Sequence, residues 1–187
     1  MSWSRNAGAA ARRCVLAALL LLPTACGFHP LYGTTTTANG VTVDVQRQLE
    51  TIRIVPSANR LDQLLYNSLR DKLNPRGVPS DPRYVLTVGL TETQQELLLE
   101  QDQSATRTNL LVVADYHLRR ADSQTEVLVG TVRTRTGFNI LSNEYATRIA
   151  QQDAEARSAQ ELADGIRQRL AIYMAEGPAP AKAPPKP

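Results

Sequence analysis

Cysteine is close to absent from this chain. Among 187 residues there are two, Cys14 and Cys26, and both precede the body of the sequence. No pair remains there to build a disulfide framework or a cysteine–histidine metal site. Histidine is as scarce, with His29 and His117 alone. The sequence holds no H-E-x-x-H, no G-x-S-x-G and no Walker-type glycine loop, and its ten glycines are scattered. His117 shares a strand face with Asp115, a pairing that reads as an ordinary solvated face. Nothing supports a catalytic constellation, so the expectation is a protein that is not an enzyme and needs no cofactor or metal. The N-terminal apolar run, Val15 to Leu22 (VLAALLLL), is far short of the about 20 residues a membrane-spanning helix requires. The net charge of +3 is misleading too. Between Cys26 and Gly177 there are 16 basic and 18 acidic residues, so the basicity gives no argument for a nucleic-acid partner.

What is present begins with a targeting signal. Arg5, Arg12 and Arg13 form a positive n-region, Val15–Leu22 the apolar h-region, and Thr24-Ala25 the small residues before a cut. The next residue is Cys26, as in bacterial lipoprotein signals, where the thiol takes a diacylglyceryl group. Pro23 stands where leucine is usual. The competing reading is a plain secreted protein with an incidental cysteine. Gly27, in place of aspartate, resembles the sorting signal for the outer membrane, on its periplasmic side. Several acyl chains, at about 0.8 kcal/mol per buried CH₂, hold a protein to a bilayer without help from its folded part. The chain divides into residues 1–25, a lipoprotein signal peptide; 26–46, a lipidated N-terminus and tether; 47–176, an α+β domain; and 177–187, a proline-rich tail.

Within the domain, periodicity predicts the elements. Val41, Val43 and Val45 alternate as a short extended segment, and Leu49 to Val55 reads as a strand ended by Pro56. Asn59 is placed to cap a helix from Arg60 to about Leu73, striped by Leu61, Leu64, Leu65, Leu69 and Leu73. Tyr84–Thr91, Leu110–Leu118 and Glu126–Phe138 alternate as strands, the last two joined at Asp122-Ser123. Glu92 to Arg107 is long for a hairpin loop. It is either a protruding β-ribbon or a loop, and its Leu97, Leu98 and Leu99 are costly to expose without a partner. Ser142 or Asn143 caps a last helix to about Ala175, with a seam through Tyr145, Ile149, Gln152, Ala156, Ala159, Ala163, Ile166, Leu170 and Tyr173. The order strand, helix, three strands, helix predicts an α+β two-layer sandwich: a four-stranded sheet with two helices packed on one face, the other face polar and open.

Arginines stand out in the second half: Arg107, Arg119, Arg120, Arg133, Arg135 and Arg148. Guanidinium groups stay charged and grip phosphate bidentately. The plainer reading is a solvated strand with charge-paired arginines.

The run Cys26-Gly-Phe-His-Pro-Leu-Tyr-Gly33 closely resembles the N-terminus of the LPS-assembly lipoprotein family LptE, in its alphaproteobacterial form. The element order, Tyr116-His117-Leu118, Phe138-Asn139 and the alanine-rich last helix agree with it. The resemblance implies an outer-membrane lipoprotein that plugs the lumen of the LptD β-barrel, binds lipopolysaccharide and helps carry it to the outer leaflet. It implies lipidation at Cys26. Arg107, Arg133, Arg135 and Arg148 are the candidate lipopolysaccharide-binding residues, and Leu97, Leu98 and Leu99 the candidate barrel contact. Two other classes remain open on the residues: an auxiliary lipoprotein of an ABC-type lipid transporter, and a periplasmic hydrolase on an α+β scaffold.

Overall fold

The structure, a computed structural model, describes residues 34–36, 42–98 and 105–176. The expected signal peptide, Cys26 and the proline-rich tail lie outside the described residues. The elements are β1 (Thr34–Thr36), β2 (Thr42–Asp44), α1 (Val45–Leu49), β3 (Ile52–Ile54), α2 (Arg60–Leu73), β4 (Tyr84–Leu98), β5 (Ala105–Arg120), β6 (Glu126–Asn139) and α3 (Glu144–Glu176). β1 and β2 pair antiparallel by themselves. The main sheet has the order β3-β4-β5-β6. β3 runs parallel to β4, with Ile54 opposite Leu86, and the other neighbours are antiparallel. The expected α+β sandwich is what forms, with α2 and α3 on one face.

The core lies between that face and the two helices. Leu86, Leu110, Val112, Ala114, Tyr116 and Leu118 project from the sheet, and Leu61, Leu65, Leu69 and Leu73 from α2. Each fully buried leucine contributes about 1.5–3 kcal/mol. The leucines of α2 recur every fourth residue, which keeps them on one face of a 3.6-residue helix. Asn59 precedes α2 as expected, but its side chain makes no cap hydrogen bond. Its carbonyl accepts from the Gln63 amide instead. Asn143 does cap α3, its Oδ1 accepting from the amides of Tyr145 at 2.9 Å and Ala146 at 3.4 Å.

Three expectations need correction. The extended reading of Val41–Val45 stops at Asp44, whose carboxylate accepts from the Arg47 amide and starts α1. That turn buries Val45 and Leu49 completely, and the strand after it shrinks to Ile52–Ile54. The seam on α3 holds from Ala159 onward but fails before it. Tyr145 is 71% exposed and Ile149 47%, while Ala154 and Ser158 are buried. The buried line runs through 154, 158, 162, 166, 170 and 174, a four-residue step that drifts about 40° around the helix each time. A straight 4-3 seam therefore leaves it toward the N-terminus. The open sheet face is not wholly polar, because Val129 is 53% exposed there and Leu111 and Val113 are half-buried.

Between the two readings of Glu92–Arg107, the ribbon is what forms. β4 continues to Leu98 and β5 begins at Ala105, with Leu97 opposite Arg107 and a register shift at Leu97/Leu98. Leu99 and the side chains of Leu97 and Leu98 lie outside the described residues.

Gly165 interrupts α3 where a cost of about 1 kcal/mol relative to alanine is ordinary. A Cβ there would sit 2.7 Å from Cγ1 of Val132 on β6, so the missing side chain is what lets helix and sheet close. Gly165→Ala is expected to lower stability by about 1 kcal/mol, because overpacking outweighs the gain in helix propensity. In a Val132→Ala background the same change should become stabilising. Urea denaturation of the four proteins of that cycle measures the reversal.

Candidate functional site: the open sheet face

Alternate residues of β4, β5 and β6 face away from the helices. Register fixes their neighbours: Asp115 lies between Gly89 and Thr131, Val113 between Thr91 and Arg133, and Leu111 between Thr93 and Arg135. Toward the Ala121–Ser123 turn this face is charge-paired. His117 Nδ1 lies 2.8 Å from Glu126 Oε2, Arg119 reaches the same oxygen at 3.7 Å, and Asp115 accepts from Thr131 Oγ1 at 2.6 Å. At the edge of the turn Arg120 holds Asp122 at 2.9 Å. That guanidinium keeps the Asp122 carboxyl well below the usual carboxylate range.

Toward the ribbon end the pattern changes. Arg133 and Arg135 are exposed on the open face two residues apart on β6, about 7 Å along the strand. The Arg107 side chain crosses from β5 to lie over Gly137, where an added Cβ would fall 2.8 Å from its Nη2. Arg133, Arg135 and the guanidinium of Arg107 thus form one column along β6. None of the three makes an ion pair among the described residues. Beside them run Leu111 and Val113, half-buried.

Of the four candidate arginines, the structure gathers three and sets one apart. Arg148 lies in the first turns of α3, paired with Glu144 at 3.3 Å. The role of Gly137 escaped sequence reading, though an isolated glycine inside a strand does signal close approach. Nothing in the alternation of β5 singles out Leu111 and Val113, because it is the register with β6 that sets them beside Arg135 and Arg133.

Chemically, the column is a set of permanently charged forks beside a shallow apolar lane. It suits phosphate groups on an amphiphile: the forks bind the oxygens and the lane takes hydrocarbon. Among the described residues no group of three or more His, Cys, Asp or Glu is placed to hold a metal. No described helix is long and apolar enough to cross a membrane.

No curated protein matches. A putative lipoprotein from Caulobacter crescentus has a similar structure, at 26% identity and a TM-score of 0.61, covering 71% of this chain and 97% of that one. Rare lipoprotein B from Shewanella oneidensis shares the fold, at 14% identity and a TM-score of 0.50, covering 65% and 92%. So does lipoprotein B from Nitrosomonas europaea, at 11% identity and 0.52, covering 66% and 83%. The family model for LptE, described as lipopolysaccharide-assembly, matches residues 48–170. That span runs from α1 to the last turns of α3, and the chain belongs to the LptE family of lipopolysaccharide-assembly proteins.

Proposed function

We propose that the protein is an outer-membrane lipoprotein, anchored through lipid on Cys26, that seats in the lumen of the LptD barrel and engages lipopolysaccharide on its way outward. It acts without catalysis. Arg107, Arg133 and Arg135 receive the phosphates of the lipopolysaccharide, and Leu97, Leu98 and Leu99 meet the barrel wall. Arg148, already paired with Glu144, is left out of the set.

The observation that carries this reading is the column of three arginines, unpaired among the described residues, on a sheet face that the helices do not cover. Exposed guanidinium groups in folded domains commonly find carboxylates, as Arg119, Arg120 and Arg148 do here. Three neighbours without one among the described residues leave a concentrated positive field there, in a chain whose family assembles a phosphorylated lipid. A large barrel has a polar interior, which a largely polar sheet face can line without an extensive apolar interface.

Affinity purification of the tagged protein from detergent-solubilised membranes tests the assignment. A large outer-membrane barrel should co-purify in near-equal amount, and mass spectrometry of the mature N-terminus should find Cys26 diacylglycerylated. Recovery with an ATPase complex, or an unmodified thiol, would overturn it.

A further inference from the structure

β3 covers only the beginning of β4. Pairing runs from Tyr84 to Leu86, and its last bond is from the Val55 amide to the Leu86 carbonyl at 2.9 Å. Pro56 follows, has no amide hydrogen, and turns the chain away. Tyr84 and Leu86 direct their backbone groups toward β3. Same-side groups recur every second residue along a strand, so Val88, Leu90, Glu92 and Gln94 present amide and carbonyl at the same edge. No described strand pairs with them there. The edge is not bare, for α2 overhangs it. Val88 lies in a recess with Val55, Leu65 and Tyr66, and Leu90 and Glu92 line the adjoining one with Arg60 and Glu155. Asp62 belongs to both. A helix beside a free strand edge is a groove shaped for strand addition.

We infer that this groove binds an extended segment of another protein, added to the sheet beyond β3, with apolar side chains at alternate positions followed by lysine or arginine. Backbone hydrogen bonds to Val88, Leu90 and Glu92 would hold it. Its helix-facing side chains would meet Val88 and Leu90 first and Glu92 next. Charge complementarity selects the basic end. Glu155 is engaged by Arg60 at 3.3 Å, but Asp62, Glu92 and Glu96 have no cationic partner among the described residues. Acidic residues on a strand edge also discourage self-pairing, so a second copy, carrying the same acids, is disfavoured as the occupant.

The probe is an acetylated Thr-Val-Thr-Val-Thr-Lys-Thr-Lys octapeptide added to the full-length protein, read by amide hydrogen exchange. Exchange at Val88, Leu90 and Glu92 should slow about tenfold at saturation. The same peptide methylated on alternate backbone nitrogens should have no effect. Glu92→Lys, a surface change that leaves the core intact, should weaken binding about tenfold. Unchanged exchange at the three amides, or equal slowing by the methylated peptide, would show that the edge is guarded and takes no strand. Full affinity in Glu92→Lys would overturn the chemistry assigned to the occupant.

Discussion

Replacing Arg107, Arg133 and Arg135 together by alanine is expected to lower lipopolysaccharide binding by about a hundredfold or more. A hydrogen bond to a charged group contributes about 1.5–3 kcal/mol, and each 1.4 kcal/mol is about tenfold in affinity. Two or three such contacts account for the loss even if their effects are not additive. The control is the triple change Arg119→Ala, Arg120→Ala and Arg148→Ala, which removes the same formal charge. Those side chains are already engaged by Glu126, Asp122 and Glu144, so the loss should stay below about threefold. A Lys triple at 107, 133 and 135 should fall between, since lysine keeps the charge but not the fork. Gly137→Ala should also weaken binding, because a methyl group would displace the Arg107 guanidinium that lies over it. Retention of lipopolysaccharide on the immobilised protein at two salt concentrations measures all four. Equal losses in the two alanine triples would mean that net charge alone matters, and the column would lose its role.

The second large effect is structural. Gly130 faces Tyr116 across the β5–β6 pair, and the hydroxyl end of the tyrosine ring lies over it. A Cβ on residue 130 would fall 2.4 Å from the hydroxyl oxygen and 2.7 Å from Cζ. Tyr116 is 1% exposed and has little room to give way. Burial pushes its hydroxyl above the ordinary tyrosine range, and the neighbouring Arg169 draws it partly back. Gly130→Ala is expected to cost about 2 kcal/mol, and Gly130→Val about 3 kcal/mol or more. Gly89 supplies the contrast, since an added Cβ there meets nothing within 4 Å. Gly89→Ala should be neutral or slightly stabilising, because glycine inside a strand carries an entropic penalty of about 0.5–1 kcal/mol. Thermal or urea denaturation of the three variants gives the ranking. A Gly130→Ala protein as stable as Gly89→Ala would mean that the tyrosine moves freely.

Much of this architecture is legible in the sequence because single elements announce themselves. The leucines of α2 repeat with helical spacing, and β5 alternates cleanly through Leu110, Val112, Ala114, Tyr116 and Leu118. Other parts depend on where elements meet. Alternation placed Tyr116 and Gly130 both inward, yet only register puts one over the other. The parallel run of β3 beside β4 has no local signal. The α1 turn was hidden because valine at 41, 43 and 45 alternates as a strand would, while the decisive group is the Asp44 carboxylate. The α3 seam failed at Tyr145 and Ile149 because a rhythm fitted to the whole helix averages over its drift. For the site, strand direction placed Arg133 and Arg135 on the open face. Which arginines were already paired could not be read from spacing, since the partners of Arg119 and Arg120, Glu126 and Asp122, depend on how the turn folds.

The length of α3 has a consequence for orientation. Thirty-three residues at about 1.5 Å each make a rod about 50 Å long, and β5, with 16 residues, runs about as far. That exceeds the roughly 30 Å hydrocarbon thickness of a bilayer. Lodged upright in a transmembrane cylinder, such a body extends beyond the hydrocarbon layer on at least one side. Its two tips differ in character: α1 and the charge pairs of Arg119, Arg120, Asp122 and Glu126 lie at one pole, the ribbon of β4 and β5 forms the other, and the arginine column lies between them, opposite residues 109–113 of β5. From Arg119 to Arg107 is about 40 Å of strand, so inverting the molecule would carry the ribbon end to the opposite side of the membrane while the arginine column kept near mid-height.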